Sequence, residues 1–466
     1  NIIGGSTSLH RNTISDNTQA GILITGSGGS GTTIKGNYIG IASDGISYIT
    51  SNAQIYGISL QSSSALNTIG GTNSGEGNVI SGQGSASTKG YGIYLTSSDN
   101  NNIYGNTIGP RVDGSTAVTN ATQNYGIFVA TGSDGNIIGG STNAYRNIVS
   151  GNGSSFPGGT GLYIFSSTNN YIKGNYLGMA SNGTSIISGG LQDYGVILDA
   201  DVGNNVYLGS TATGEGNLIS GNINSGVILE HDQNAYVLGN IIGPQKDGST
   251  YVAGNSQDEG IYLFKSDGCF IGDGSVGGRN IISGNESKGI YGAGNPGTSG
   301  VVIDGNYIGL ASNGASIISG ATQDDGIYLK NLSDNFMIYE NVISGNTNSG
   351  IYINNPTGGD NNINTGNIIG LQANGTSYVT SNSQDYGIYL EDTRDVTIGR
   401  GSFGGGRENF ISGNEIAGIY LTGSSTTNNW IFGNAIGLQS NGTTKVTNAT
   451  QDFGIVITND ASRNII

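Results

Sequence analysis

One cysteine, Cys269, is all the chain has, so no intrachain disulfide can form. Its neighbours Gly268 and Phe270 suit a small residue facing a core rather than a reactive thiol. Proline is scarce at five residues while glycine reaches 85, and that combination excludes collagen and proline-rich disorder. The two histidines, His10 and His231, are far apart, so neither a histidine pair nor a Ser-His-Asp arrangement is supported, and zinc would lack its ligand clusters. Charged residues make up only 10%, with 32 acidic against 16 basic, and a net charge of −16 argues against nucleic acid or an anionic membrane surface as partner. There is no run of 18 apolar residues of the kind a membrane-spanning helix needs.

What the chain has instead is repetition. Gly-Asn-x-Ile-Gly, with Leu177 once in place of Ile, starts at Gly36, Gly105, Gly174, Gly239, Gly305, Gly366 and Gly433, at intervals of 69, 69, 65, 66, 61 and 67 residues. A near-constant period with small insertions marks a stacked architecture. A second marker, Gly-Ile-x-Leu, occurs twice per unit, from Gly21, Gly57 and Gly92 through to Gly418 and Gly454. Each is followed by two further short apolar segments. In one kind of coil Gly-Asn joins them, as in Asn102–Gly109; in the other they read Asn-x-Ile-Gly-Gly and Asn-Val-Ile-Ser-Gly, as in Asn67–Gly71 and Asn78–Gly82.

Three short strands per coil, each alternating inward and outward residues, predict an all-β fold: a right-handed three-faced parallel β-helix of about fourteen coils in seven two-coil repeats. Glycine density and the lack of a 3.6-residue period exclude an α-solenoid. The second position of Gly-Ile-x-Leu, from Ile22 to Ile455, is the expected aliphatic ladder, and Asn37, Asn106, Asn175, Asn240, Asn306, Asn367 and Asn434 are an expected amide column. The expectation is one continuous solenoid over residues 1–466. Asn1-Ile2-Ile3 and Asn464-Ile465-Ile466 share a phase and neither is a cap, which reads as a slice of a longer solenoid or a subunit that stacks end to end.

Asn-Val-Ile-Ser-Gly-Asn and Gly-Asn-Tyr-Ile-Gly resemble the parallel β-helix repeats of large secreted surface proteins of bacteria and archaea, and the likeness covers the whole chain. The fold is also similar to the pectin-lyase-like superfamily. The resemblance implies an architecture; it implies no single function, because that fold hosts lyases, hydrolases, tailspikes, adhesins and stalks.

Three features are candidates for function. An Asp-Gly or Asn-Gly turn follows each Gly-Asn-x-Ile-Gly, at Asp44, Asp113, Asn182, Asp247, Asn313, Asn374 and Asn441, and a glutamine follows that: Gln54, Gln123, Gln192, Gln257, Gln323, Gln384 and Gln451. These loops form either a ridge for lateral packing or glycan contact, or structural loops whose glutamines bond backbone at the corner. The residue after the glutamine is acidic at Asp193, Asp258, Asp324, Asp385 and Asp452, and this row is the candidate for calcium if loop carbonyls complete the shell. The outward position of Gly-Ile-x-Leu holds Tyr94, Phe128, Tyr163, Tyr262, Tyr291, Tyr328, Tyr352, Tyr389 and Tyr420. Such a stripe is covered by the chain's own loops, by another copy, or by a stacked sugar.

Catalysis has a single candidate, Glu230-His231-Asp232 with Glu259 and Lys265, and Glu391-Asp392-Thr393-Arg394 at the equivalent place favours a charged turn instead. Sequons at Asn120, Asn182, Asn374 and Asn448 allow glycosylation without implying it. The expected function is therefore structural: an extracellular or cell-surface stalk, adhesin or filament segment that associates with itself, with enzymatic activity left open. The alternatives are a β-helix carbohydrate-active enzyme or a non-catalytic glycan-binding module.

Overall fold

The computed structural model describes residues 1–466 apart from 50–53, 86–87, 120–121, 154–157, 191, 200–204, 232–233, 255–256, 294–297, 332–334, 356–360, 382–383 and 400–407. Among the described residues the regular structure is forty-two short strands and three single-turn 3-10 segments. Every third strand belongs to the same parallel sheet, giving three sheets of fourteen strands. Three strands, one per sheet, make a coil: the chain is a three-faced parallel β-helix of fourteen coils. Sheet 1 opens with Ile2–Gly4 and Thr33–Lys35, sheet 2 with Thr13–Ile14 and Tyr38–Ile39, and sheet 3 with Ala20–Thr25 and Tyr56–Gln61. The residues fall into two compact units, 1–228 with 252–256, and 229–251 with 257–466.

In the first unit Ile22, Ile58, Ile93, Ile127, Leu162 and Val196 are register partners along sheet 3. In the second, Ile261, Ile290, Ile327, Ile351, Ile388, Ile419 and Ile455 are. Most of these side chains have no solvent exposure. Each contributes about 1.5–3 kcal/mol of hydrophobic stabilisation. Sharp corners need positive φ: Gly70 sits at φ +100°, and a Cβ there would lie 1.8 Å from the Tyr104 carbonyl oxygen.

The amide column is denser than its sequence marker. Asn37, Asn106 and Asn175 are followed in turn by Asn78, Asn147 and Asn217, so that every coil supplies a rung, and Nδ2 of each donates to Oδ1 of the next at 2.9–3.1 Å. The second unit repeats this from Asn240 through Asn280, Asn306, Asn341, Asn367 and Asn409 to Asn434, at 2.9–3.2 Å. All of these amides but Asn434 are buried, and each rung satisfies donors that the apolar interior would otherwise strand.

A second column, just before sheet 1, changes character along the chain. Asn67, Asn101, Asn136 and Asn170 form an amide ladder in the first unit. Ala235, Cys269, Val301 and Phe336 hold the same place in the second, all without exposure. Cys269 is therefore a core residue standing where other coils have asparagine.

Candidate functional site

The turn glutamines point inward. Gln123, Gln192, Gln257, Gln323 and Gln384 are buried, and each donates from Nε2 to an asparagine of the following coil: Asn152, Asn222, Asn285, Asn346 or Asn414, at 2.7–2.9 Å. Those asparagines donate onward to the next glutamine, as in Asn285 to Gln323 at 2.9 Å and Asn346 to Gln384 at 3.0 Å. The partner is thus a side chain of the other coil type, which corrects the expectation of a backbone bond at the corner.

The loops themselves form a further ladder. Each Asp or Asn of the tip accepts two backbone N–H groups on Oδ1, as Asn374 does from Thr376 and Ser377 at 2.9 and 3.0 Å. Loop then bonds loop across the intervening coil. Val112 N donates to Gly45 O at 3.0 Å and Ser181 N to Gly114 O at 2.8 Å in the first unit. Ser312 N donates to Gly248 O at 2.8 Å, Ala373 N to Gly314 O and Ser440 N to Gly375 O at 2.7 Å in the second. Beneath them the loops cover the outer face of sheet 2: Ile41, Tyr48 and Val118 pack on Tyr38 and Val79, and Leu310, Ile317 and Val379 pack on Tyr307 and Val342.

Because these loops lie on sheet 2, the aromatic stripe of sheet 3 is left part-exposed. In the second unit the ring centroids of Tyr262, Tyr291, Tyr328 and Tyr352 follow one another at 5.3, 5.4 and 4.5 Å with interplanar angles of 11–25°. Tyr389 turns across Tyr352 at 86° and stacks on Tyr420 at 5.2 Å. In the first unit Tyr94 stacks on Phe128 and Phe128 meets Tyr163 edge-on, while Tyr56, Tyr91 and Tyr125 form a parallel row at 5.3 and 5.1 Å. Rings stacked this way give their π faces to one another. Solvent meets mainly ring edges and hydroxyls.

Charged groups flank the stripe in the second unit. Glu259, Lys288 and Asp325 are successive register partners one row to its side. The Lys288 ammonium lies 5.7 and 5.5 Å from the ring centroids of Tyr291 and Tyr328. Asp325 is buried; its Oδ1 accepts from Asn348 Nδ2 at 2.9 Å and from Ser349 N at 3.2 Å, and burial pushes its carboxyl up to about 6. On the other side Glu391 accepts from the Tyr352 hydroxyl and, at 3.0 Å, from Asn354 Nδ2. Burial and then Glu391 raise the Tyr352 phenol, and the same two causes push Tyr389 up to about 12. In the first unit the Tyr163 hydroxyl donates to Asp199 at 2.6 Å. Sequence reasoning missed Lys288 and Asp325, although both directly precede the glycine of Gly-Ile-x-Leu.

The candidate calcium row behaves as turn residues. Asp193 accepts from the N–H groups of Gly158 and Gly159 at 2.6 and 2.9 Å, and Asp324 accepts from the Thr347 hydroxyl at 3.0 Å. Asp258 and Asp385 receive backbone N–H groups of the next coil on their carbonyl oxygens; Asp452 N donates to Glu415 O at 3.2 Å. Among the described residues no three His, Cys, Asp or Glu side chains converge to hold a metal ion. Glu230 and His231 approach only to 3.9 Å, with His231 edge-on to Phe264, and Asp232 lies outside the described residues, as do Asn120 and Ala121 of the first sequon.

No protein-family profile and no curated protein matches the chain in sequence. Several solved structures are similar to it in part. A variant of the periplasmic alginate epimerase AlgG is 11% identical over 88% of this chain and 77% of its own, with a TM-score of 0.37. The A-module of the mannuronan C-5 epimerase AlgE4 of Azotobacter vinelandii is 12% identical over 94% and 92%, at 0.35. The Dettilon tailspike protein is 14% identical over 86% and 62%, at 0.32. The class, a parallel β-helix repeat protein, rests on the three sheets themselves. No helix among the described residues is long and apolar enough to cross a membrane.

Proposed function

We propose that the chain is a structural segment of a secreted or cell-surface protein, a stalk or spacer that holds other parts at a distance. The observation carrying this reading is that the repeated columns close on themselves: asparagine on asparagine, glutamine on asparagine, loop on loop and tyrosine on tyrosine. Such residues are consumed in building the next coil. Self-association, lateral or end to end, belongs to the same reading. Light scattering and negative-stain microscopy of the purified chain over a wide concentration range test it, with ordered association expected. Discrete monomers at every concentration would remove self-association.

A second reading has its own support: the hydroxyl and carboxylate fringe of sheet 3 around Tyr352, Glu391, Lys288 and Asp325 suits contact with a polysaccharide through hydrogen bonds rather than ring stacking. Glycan-array binding that falls at least tenfold in Tyr328→Ala and Tyr389→Ala would favour it over the spacer role. Depolymerisation or epimerisation of any polysaccharide by the wild type, lost in Asp325→Asn, would replace both readings with an enzyme.

A further inference from the structure

Four of the seven loop tips read Asn-Gly, at Asn182, Asn313, Asn374 and Asn441, and three read Asp-Gly, at Asp44, Asp113 and Asp247. In Asn-Gly the glycine nitrogen can attack the asparagine side-chain carbonyl carbon. A C–N bond forms, ammonia leaves, and water opens the resulting succinimide to aspartate or to isoaspartate. We propose that the four asparagines are latent deamidation sites, held closed by the stacked loops and opened when the stack is lost.

The nucleophile is occupied first. The N–H of Gly183, Gly314, Gly375 and Gly442 donates to the carbonyl three residues earlier, of Ala180, Ala311, Gln372 and Gln439, at 2.8–2.9 Å. The electrophile is pinned as well. Oδ1 of each asparagine accepts from the N–H groups two and three residues on, at 2.8–3.2 Å. Nδ2 donates to the hydroxyl of Ser185, Ser316, Ser377 or Thr444, at 2.8–3.1 Å. To cyclise, the side chain must leave all three partners while the glycine leaves its own.

The aspartate product is already part of the design. Asp247 Oδ1 accepts from Ser249 and Thr250 N–H at 2.8 and 2.9 Å, and its Oδ2 accepts from the Thr250 hydroxyl at 2.6 Å. Only the direction of the hydroxyl bond reverses. Isoaspartate, with one more backbone atom and a shorter side chain, cannot make that set.

The stack adds a further restraint. The carbonyls of Gly314 and Gly375 accept from Ala373 and Ser440 of the next loop, which restrains the reacting peptides of Asn313 and Asn374.

The test incubates the full chain, folded and in urea, in mildly alkaline buffer made with heavy-oxygen water, and follows each tip by peptide mass spectrometry. The four sites are expected to convert alike in urea. In the folded chain Asn313 and Asn374 are expected to slow by roughly tenfold or more. Equal rates folded and unfolded would overturn the proposal. Asn374→Asp is expected to melt with the wild type; a lower melting temperature would overturn the claim that the aspartate product is accommodated.

Discussion

At Gln83 one methylene too many interrupts a ladder. The other coils of its type carry asparagine there, and Asn152 and Asn285 each bond a glutamine on either side. Gln83 instead turns its Nε2 to the Ile39 carbonyl at 3.2 Å, and Gln54 Nε2, Gln83 Oε1 and Gln123 Oε1 are left buried without partners. Gln83→Asn restores both rungs and is expected to stabilise the first unit by about 1–2 kcal/mol, read as a higher urea midpoint with unchanged slope. The reverse change at an intact rung, Asn285→Gln, is expected to cost a similar amount.

Among the elements, the turn leading into sheet 2 contains a device that recurs every fourth coil. Arg11, Arg146 and Arg279, 135 and 133 residues apart, stand immediately before a ladder asparagine. Each places its guanidinium 4.0–4.1 Å from the ring centroid of the next coil's tyrosine: Tyr38, Tyr176 or Tyr307. Each also donates from Nε to the carbonyl of Gly36, Gly174 or Gly305 at 3.1–3.3 Å. Where the residue before the asparagine is Gly77 or Glu340, the next coil has Thr107 or Ile368 in place of tyrosine. Arg146→Ala is expected to cost about 1–2 kcal/mol, and a double-mutant cycle with Tyr176→Leu to show about 0.5–1 kcal/mol of coupling. Arg146→Lys is expected to rescue little of this, since a point charge reproduces neither the planar stack nor the fixed Nε donor.

Much of this was legible in the repeats. Ile22, Ile58 and Ile93 declare the core, and Asn37 and Asn106 declare a column, because position within a coil repeats with the period. What stayed hidden is whatever joins unlike coils. Gln123 meets Asn152 and Arg146 meets Tyr176 across two coil types whose turns carry different markers. The tyrosines were visible as an outward row, yet whether their faces met solvent or one another depended on ring orientation, which spacing does not encode.

On the scale of the whole molecule, the two units answer acid differently. Asp304 and Asp325 of the second unit are both pushed up to about 6, by burial first, and for Asp304 next by Glu340 and Asp273. In the first unit the corresponding turn holds ion pairs, Lys35 with Glu76 at 2.8 Å and Lys173 with Glu215 at 3.0 Å, and the Lys35 bond lowers Glu76. A carboxyl raised on folding stabilises fully below its unfolded value, near 4, and loses that contribution as pH rises through about 6. A lowered one does the opposite, stabilising above its unfolded value and losing this as pH falls. Calorimetry is therefore expected to show the second unit gaining about 3–6 °C in melting temperature between pH 7.5 and pH 5, as a rough figure, with the first unit nearly flat. Asp304→Asn and Asp325→Asn together are expected to abolish the gain.

Loops that bond one another only across an intervening coil give the chain a parity. Excising residues 302–361, two coils, leaves loop facing loop and glutamine facing asparagine on either side of the join. Excising residues 302–336, a single coil, sets like against like: two bare coils meet, and asparagine meets asparagine where each needs the longer partner. The even deletion is expected to melt cooperatively within a few degrees of the parent and the odd one to lose cooperativity, as circular dichroism would record. Growth and shrinkage of such a molecule are thereby quantised in twos, and any lineage that lengthened it by unequal crossover had to count the same way.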